Sequence, residues 1–330
     1  MEATSQISSA RTTPELSIII VTADGYEPIR KAVRALTAQT VCDRLELVIV
    51  CPSKVSLGLI DAEVAGLHSV CVHEMGEVTN AAAARAAAVG GARAPVVAFC
   101  EDHAFPEPGW AEALIKAHQQ PWAAVGPAFI NANPGVLSWM AIVMHYGRWV
   151  DPVAGGVIDD VPGHNSSWKR PLLLEYGTGL GAMLSAPTVL NWDLHAKGHQ
   201  LYLEPSAKVR HMQISRLLPF LAEHINVARM FPAQRSADWP WYWRLFYVAG
   251  MPYLMAQTLC VWLGHIRRIG CERELLVRGW PLVLFFLGVH GCGEIMGYAL
   301  GMGRAQENIL VFDTRRIRYV NRRDRELLAA

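Results

Sequence analysis

The chain lacks any C-x-x-C pair: its seven cysteines (Cys42, Cys51, Cys71, Cys100, Cys260, Cys271, Cys292) are scattered, several within apolar runs. That excludes a disulfide framework and reads as reduced, mostly core thiols on a cytosolic face. Charge is scarce as well. Asp, Glu, Lys and Arg make up 18% of 330 residues, below the usual quarter, and mean hydropathy is positive, so part of the chain is expected to face something other than water. A net charge of +1 carries no global signature of a nucleic-acid partner, although Arg crowds the C-terminus. There is no internal repeat and no low-complexity linker. No Gly-rich phosphate loop with a basic residue follows the first apolar run, which argues against a nucleotidyltransferase. Residues 1–14, MEATSQISSARTTP, lack the apolar core of a signal peptide and read as a flexible polar lead.

What is present is an alternation of short apolar runs with helical patterns. In ELSIIIVTADGYEP a buried strand, Leu16 to Val21, ends in a Thr-Ala-Asp-Gly turn. Ile29, Ala32, Val33 and Leu36 then recur at helical spacing, and LELVIV is the next buried strand. HSVCVHEM supplies another strand, and NAAAARAAAVGG an Ala-rich helix with Asn80 as its N-cap. The run Val96 to Cys100 then ends abruptly in Glu101, Asp102 and His103. Ligands sit just beyond the carboxyl ends of strands buried on both faces, so acid, acid and imidazole at that point mark a site. Further along, GWAEALIKAH reads as a helix, AAVGPAFI as a strand and GVLSWMAIVMHYGRWV as a helix. DDVPGHNSSWKR is a loop by composition, HQLYLEPSAKVRH two short strands around a Pro-Ser corner ending at His211, and ISRLLPFLAEHINVARMF a helix. The pattern predicts a mixed, mostly parallel sheet flanked by helices, with the loops at its carboxyl ends forming the active face.

The last ninety residues change character. Leu245 to Gly264 is twenty residues without a charge, and Gly279 to Gly303 is a second apolar segment, interrupted by His290 and Glu294. Both have the length to cross a hydrocarbon core, which predicts a membrane-associated hydrophobic helical hairpin within residues 236–303. The basic tail, 304–330, favours the cytoplasmic side, with Arg267, Arg268, Arg273 and Arg278 competing between the segments.

With these elements placed, residues 15–235 resemble the inverting family 2 glycosyltransferases, whose catalytic domain has the GT-A fold. SIIIVTADGYEPIRKAVRALTAQT is similar to that family's opening strand, turn and helix. NAAAARAAAVGGARAPVVAFCEDHAFPEPGW resembles its Ala-rich helix and the strand delivering an Asp-x-Asp motif. GHNSSWKRPLL resembles its Gly-x-Asn segment, and LHAKGHQLYLEPSAKVRH its closing strand pair ending in His. The resemblance implies a nucleotide-sugar donor, a lipid-linked or saccharide acceptor in envelope or exopolysaccharide assembly, and a location on the cytoplasmic face of the membrane. It places Thr22, Asp24, Glu101, Asp102, His164, Asn165 and Ser166 at the donor. A divalent ion, Mn2+ or Mg2+, would be held by His103, Asp102 and His211, two imidazoles tilting the choice toward manganese.

Two positions depart from the family's pattern. Cys51 and Pro52 stand where an Asp usually follows the second strand, and Pro187 stands where the general base is usual. Proline cannot take a proton, so Asp193 and, second, Glu175 are the substitutes. The tryptophans Trp122, Trp139, Trp149 and Trp168 are available to line an acceptor groove. The alternative reading is a catalytically degenerate GT-A protein that binds a nucleotide sugar or a partner enzyme without turnover.

Overall fold

A computed structural model describes residues 13–329, so most of the polar lead, residues 1–12, lies outside the described residues. Nine strands form one mixed sheet: β1 (Leu16–Val21), β2 (Leu45–Cys51), β3 (Ser69–Glu74), β4 (Val96–Cys100), β5 (Ala104–Pro106), β6 (Ala124–Asn131), β7 (Gly156–Ile158), β8 (Ser167–Lys169) and β9 (Leu201–His211). Their spatial order is β3-β2-β1-β4-β8-β6-β9-β5, with β7 paired to β9. The first four are parallel, β8 runs antiparallel between β4 and β6, and β9 is parallel to β6. The carboxyl ends of β1, β2, β4, β6 and β9 therefore share one edge.

The apolar runs explain the centre. All six side chains of β1 are buried; Leu16, Ile18 and Ile20 enter the core on one face of the sheet, Ile19 and Val21 the core on the other. Helix α1 (Arg30–Thr37) lays Ala32, Val33 and Leu36 on the first face. Helix α2 (Ala81–Gly91) covers the second with alanines, started by Asn80, whose side-chain oxygen accepts the Ala83 N–H at 3.0 Å. Helices α3 (Trp110–Ala117), α4 (Val136–Tyr146) and α5 (Pro187–Ala196) complete the layers. The mixed α/β architecture implied by the resemblance is the one observed.

Several expectations are corrected. The polar loop DDVPGHNSSWKR contains β8, whose three residues enter the sheet with Trp168 fully buried; too short a run for a period, it carries no sequence signal. The Pro-Ser corner does not split the strand before His211: Leu201–His211 is continuous, and its register shifts by a bulge opposite Pro127 and Ala128. Cys71, Cys260 and Cys292 are exposed rather than core, and all seven thiols are unpaired.

The C-terminal third is helical: α6 (Leu217–Arg235), α7 (Trp241–Ala249), α8 (Met251–Ile269), α9 (Trp280–Leu300), α10 (Ala305–Thr314) and α11 (Arg322–Ala329). α9 is long and apolar enough to cross a membrane, whereas Leu245–Gly264 is no single helix, because α7 and α8 meet at Gly250 at a bend of 58°. A third apolar core binds this region to the sheet domain, with Met140 and Val143 of α4 against Phe220 of α6, Trp262 of α8 and Phe286 of α9. Part of the basic tail is tied to the rest of the chain: Arg315 and Arg318 pair with Asp24, and Arg316 with Glu223.

Candidate functional site

Three segments meet at the carboxyl edge of the sheet. β4 ends at Cys100, so Glu101, Asp102 and His103 turn off the edge before β5 begins. β9 pairs antiparallel with β5 in a register that sets His211 opposite Ala104. This register brings the second imidazole to the first, with ring centroids 4.7 Å apart, edge to face. The third segment is the loop around Asn165, whose N–H donates to the Phe99 carbonyl at 2.6 Å. Asn165 takes φ +60°, a left-handed conformation that Asn tolerates better than most residues, and its Nδ2 donates to Glu101 Oε2 at 2.9 Å. Gly163 must be glycine, since a Cβ there would lie 2.2 Å from Pro187 Cγ.

Glu101 is the hub. Its Oε2 lies 3.0 Å from His211 Nε2; its Oε1 lies 3.6 Å from His103 Nε2 and 3.5 Å from His164 Nδ1. Glu101 Oε1, His103 Nε2, His164 Nδ1, Asp102 Oδ2, Asn165 Oδ1 and Ser166 Oγ are all buried without a hydrogen-bond partner. Buried polar atoms are normally paired, so orphans facing one another mark a place built for something else. Ligand atoms of Glu101, His103 and His211 fall within 4.8 Å of one another, and one carboxylate with two imidazoles suits a divalent transition ion.

The surroundings tune these groups for that task. His103 Nδ1 shares a 2.5 Å hydrogen bond with Asp102 Oδ1; when the proton rests on Nδ1, Nε2 presents its lone pair. His211 Nδ1 lies 2.6 Å from Gln213 Nε2, while Gln213 Oε1 is an orphan. Turning that amide over pairs the orphan with an Nδ1 proton and frees His211 Nε2 to bind a cation. Burial pushes the His103, His211 and His164 imidazoles down, His164 to about 4, so all three are neutral at pH 7. Burial alone would raise the Glu101 carboxyl, but the charge that His164, His103 and His211 carry once protonated in acid holds it well below the usual range. Asp102 is pushed up by burial and by the charge of Glu101.

A cavity of about 600 Å³ lies beside the cluster, walled by Arg85, Tyr146, Gly163, His164, Pro187, Glu223, His224, Asp313 and Arg316 among others. Glu101, His103 and His211 are fully shielded behind that wall, and His164, which contacts Glu101, is the cluster's face to the cavity. A second cavity, lined by Ala23, Pro52, Gly76 to Thr79 and Arg315, lies at the ends of β1, β2 and β3 and meets the first at Thr79.

The structure thus gathers Glu101, Asp102, His103, His164, Asn165, Ser166 and His211. Thr22 is buried and spends its hydroxyl on the Gly25 carbonyl at 2.6 Å, while Asp24 is paired with Arg315 and Arg318. Neither base substitute lines the cavity: Asp193 bonds the Tyr176 hydroxyl at 2.5 Å and Lys197 Nζ at 2.7 Å, and Glu175 is exposed. Of the tryptophans only Trp149 lines the cavity; Trp168 is core and Trp122 stacks on Tyr202 at 5.1 Å. Gln213, Glu223, Asp313 and Arg316 had no motif to announce them. The tail's charge pattern was the only hint of the last two.

The crystal structure of S. aureus TarS is similar at 12% identity and a TM-score of 0.45, over 86% of this chain and 55% of that chain, so this chain spans about half its length. No curated protein matches. Residues 17–175 match the family described as Glycosyl transferase family 2. That span holds β1 through β8, the Glu101–His103 turn and the Asn165 loop, and this part of the chain belongs to glycosyl transferase family 2.

Proposed function

We propose that the chain is a membrane-associated inverting glycosyltransferase. It moves a sugar from a nucleotide-sugar donor to a membrane-proximal acceptor, lipid-linked or saccharide, on the cytoplasmic face of the cell membrane in envelope or exopolysaccharide assembly. The observation that carries this reading is the set of facing, unpartnered atoms Glu101 Oε1, His103 Nε2 and His164 Nδ1 beside the cavity. Glu101, His103 and His211 would hold a divalent ion, which when bound supplies positive charge to the departing nucleoside diphosphate. Asp102 fixes the His103 ring, Gln213 fixes the His211 ring, and Asn165 orients the Glu101 carboxylate. Arg85 and Arg316 bring further positive charge to the cavity wall, with Arg85 Nε and Arg316 Nε and Nη1 buried without a hydrogen-bond partner.

The membrane part rests on where apolar surface is left uncovered. Trp241 (74% exposed), Phe246 (64%) and Leu300 (70%) face outward, as do Trp243, Tyr253 and Phe285, all on α7, α8 and α9. Pro187 on the cavity wall favours the second reading, a degenerate fold that binds without turnover.

The test is donor hydrolysis and transfer with a panel of nucleotide sugars and Mn2+, comparing wild type with His103→Ala and Glu101→Ala. Loss of turnover in both variants is expected. Equal turnover in all three proteins removes the assigned site, and calorimetric binding of nucleoside diphosphates without any turnover establishes the degenerate reading.

A further inference from the structure

Single displacement requires a base on the acceptor side of the sugar, and Pro187 cannot be it. Five acids line the cavity: Asp160, Glu223, Glu294, Glu307 and Asp313. Asp160 accepts a hydrogen bond from Asn191 and lies 3.7 Å from Arg148. Glu223 is held by Arg316 at 2.8 Å, Glu294 lies 3.6 Å from His290, and Glu307 is paired at the exposed rim with Arg304 at 2.9 Å. Asp313 alone among them has neither a hydrogen bond nor an ion pair among the described residues. It is half-buried, carried to the cavity wall by α10, which packs on α6 and reaches α2.

We propose that Asp313 is the catalytic base of the transfer, taking the proton of the acceptor hydroxyl as that oxygen attacks the anomeric carbon. The new carbon–oxygen bond forms as the bond to the diphosphate breaks, the leaving electron pair stays on the phosphate oxygen, and the proton rests on the Asp313 carboxylate. This rests on the transferase reading above.

The surroundings suit the role. Burial first, then the negative charge of Glu101 at the end of β4, push the Asp313 carboxyl up to about 7, against the pull of Arg316 and of Arg85 on α2. Glu223 on α6, Asp102 and Tyr146 on α4 complete the charged and titratable groups acting with it. A base poised near the working pH combines a populated deprotonated form with a real driving force for proton transfer.

The experiment uses the full chain, Mn2+ and a panel of UDP-, GDP- and TDP-sugars, with water and with saccharide acceptors. Asp313→Asn is expected to lower kcat by at least about 100-fold. Nucleoside diphosphate affinity and KM should hold, and the melting temperature should stay level or rise. Wild-type kcat should climb with pH along an acid limb, and the residual rate of Asp313→Asn should not. Formate should restore part of the rate to Asp313→Ala, a rescue that a structural role would not permit. The proposal is overturned if Asp313→Asn keeps kcat within about tenfold, if its acid limb persists, or if Asp193→Asn or Glu175→Gln produces the loss instead. A wild-type chain that turns over no donor overturns it too. Loss in His103→Ala with normal rates in Asp313→Asn removes only the base; normal rates in both remove the site as well.

Discussion

His103 Nε2 and Glu101 Oε1 stand 3.6 Å apart, both shielded from solvent and both without a hydrogen-bond partner. A desolvated carboxylate facing a neutral imidazole is a preformed half-shell for a cation. Mn2+ should therefore bind the purified protein. Gln213→Ala, which touches only the far side of the His211 ring, should weaken that binding by about 10–100-fold. Titration followed by electron paramagnetic resonance checks both, and equal affinity in wild type and His103→Ala would show that the cation sits elsewhere.

The left-handed backbone at Asn165 gives a second expectation. Asn165→Ala should lose roughly 1–2 kcal/mol from the strained conformation, in addition to the amide bond to Glu101. Asn165→Gly should recover the backbone part alone and so fall between Ala and wild type in urea unfolding. Equal stability of the two variants would mean that strain plays no part.

Glu223 and Arg316, each 3% exposed, form an ion pair at 2.8 Å that ties the chain after α10 to α6. Removing one partner strands the other charge, so Glu223→Ala should cost about 3–5 kcal/mol. The double change Glu223→Leu with Arg316→Met should cost less than either single truncation. A double-mutant cycle from chemical denaturation reads the difference.

Acid sensitivity should come partly from His118, whose Nε2 lies 2.9 Å from Ser167 Oγ in the interior. Burial, with a smaller contribution from Lys169, holds this ring down at about 3, below its unfolded value near 6.5. The unfolded chain takes up the proton first. The folded state is unaffected above about 6.5 and loses up to about 1.4 kcal/mol per unit as pH falls from there toward 3. Unfolding free energies at pH 7 and pH 5 should show a shallower slope in His118→Gln, by about one proton.

The uncovered aromatic face of α7 should seat the protein on lipid. Replacing Trp241, Trp243 and Phe246 together with serine should weaken partitioning onto phosphatidylcholine–phosphatidylglycerol vesicles by at least about tenfold, since each large apolar side chain contributes on the order of 1.5–3 kcal/mol when fully buried. Unchanged co-sedimentation would assign that face to a protein partner.

Much of this was readable in one dimension. β1 and β4 take the bounds that their unbroken apolar runs announce, because a strand covered on both faces needs no polar alternation. The same logic made Glu101 and His103 conspicuous, as charge arriving where the apolar run stops. β8 escaped because three residues make no period, and the break at Gly250 escaped because hydropathy measures oiliness and not axis direction. Asp193 is the first substitute for Pro187, although a turn and a half further along a regular helix it faces another way, and its contacts with Tyr176 and Lys197 hold it away from the cavity.

Local chemistry alone dictated strands β1 to β4, the cap at Asn80 and the acid-imidazole turn, since each depends on neighbours a few residues away. The meeting of His211 with His103 needed the β5–β9 register, and the arrival of Asp313 and Arg316 at the cavity needed α10 to fold back over more than two hundred residues of chain. Contacts of that span are set by packing and by the pairing of buried charge, which no window along the chain contains.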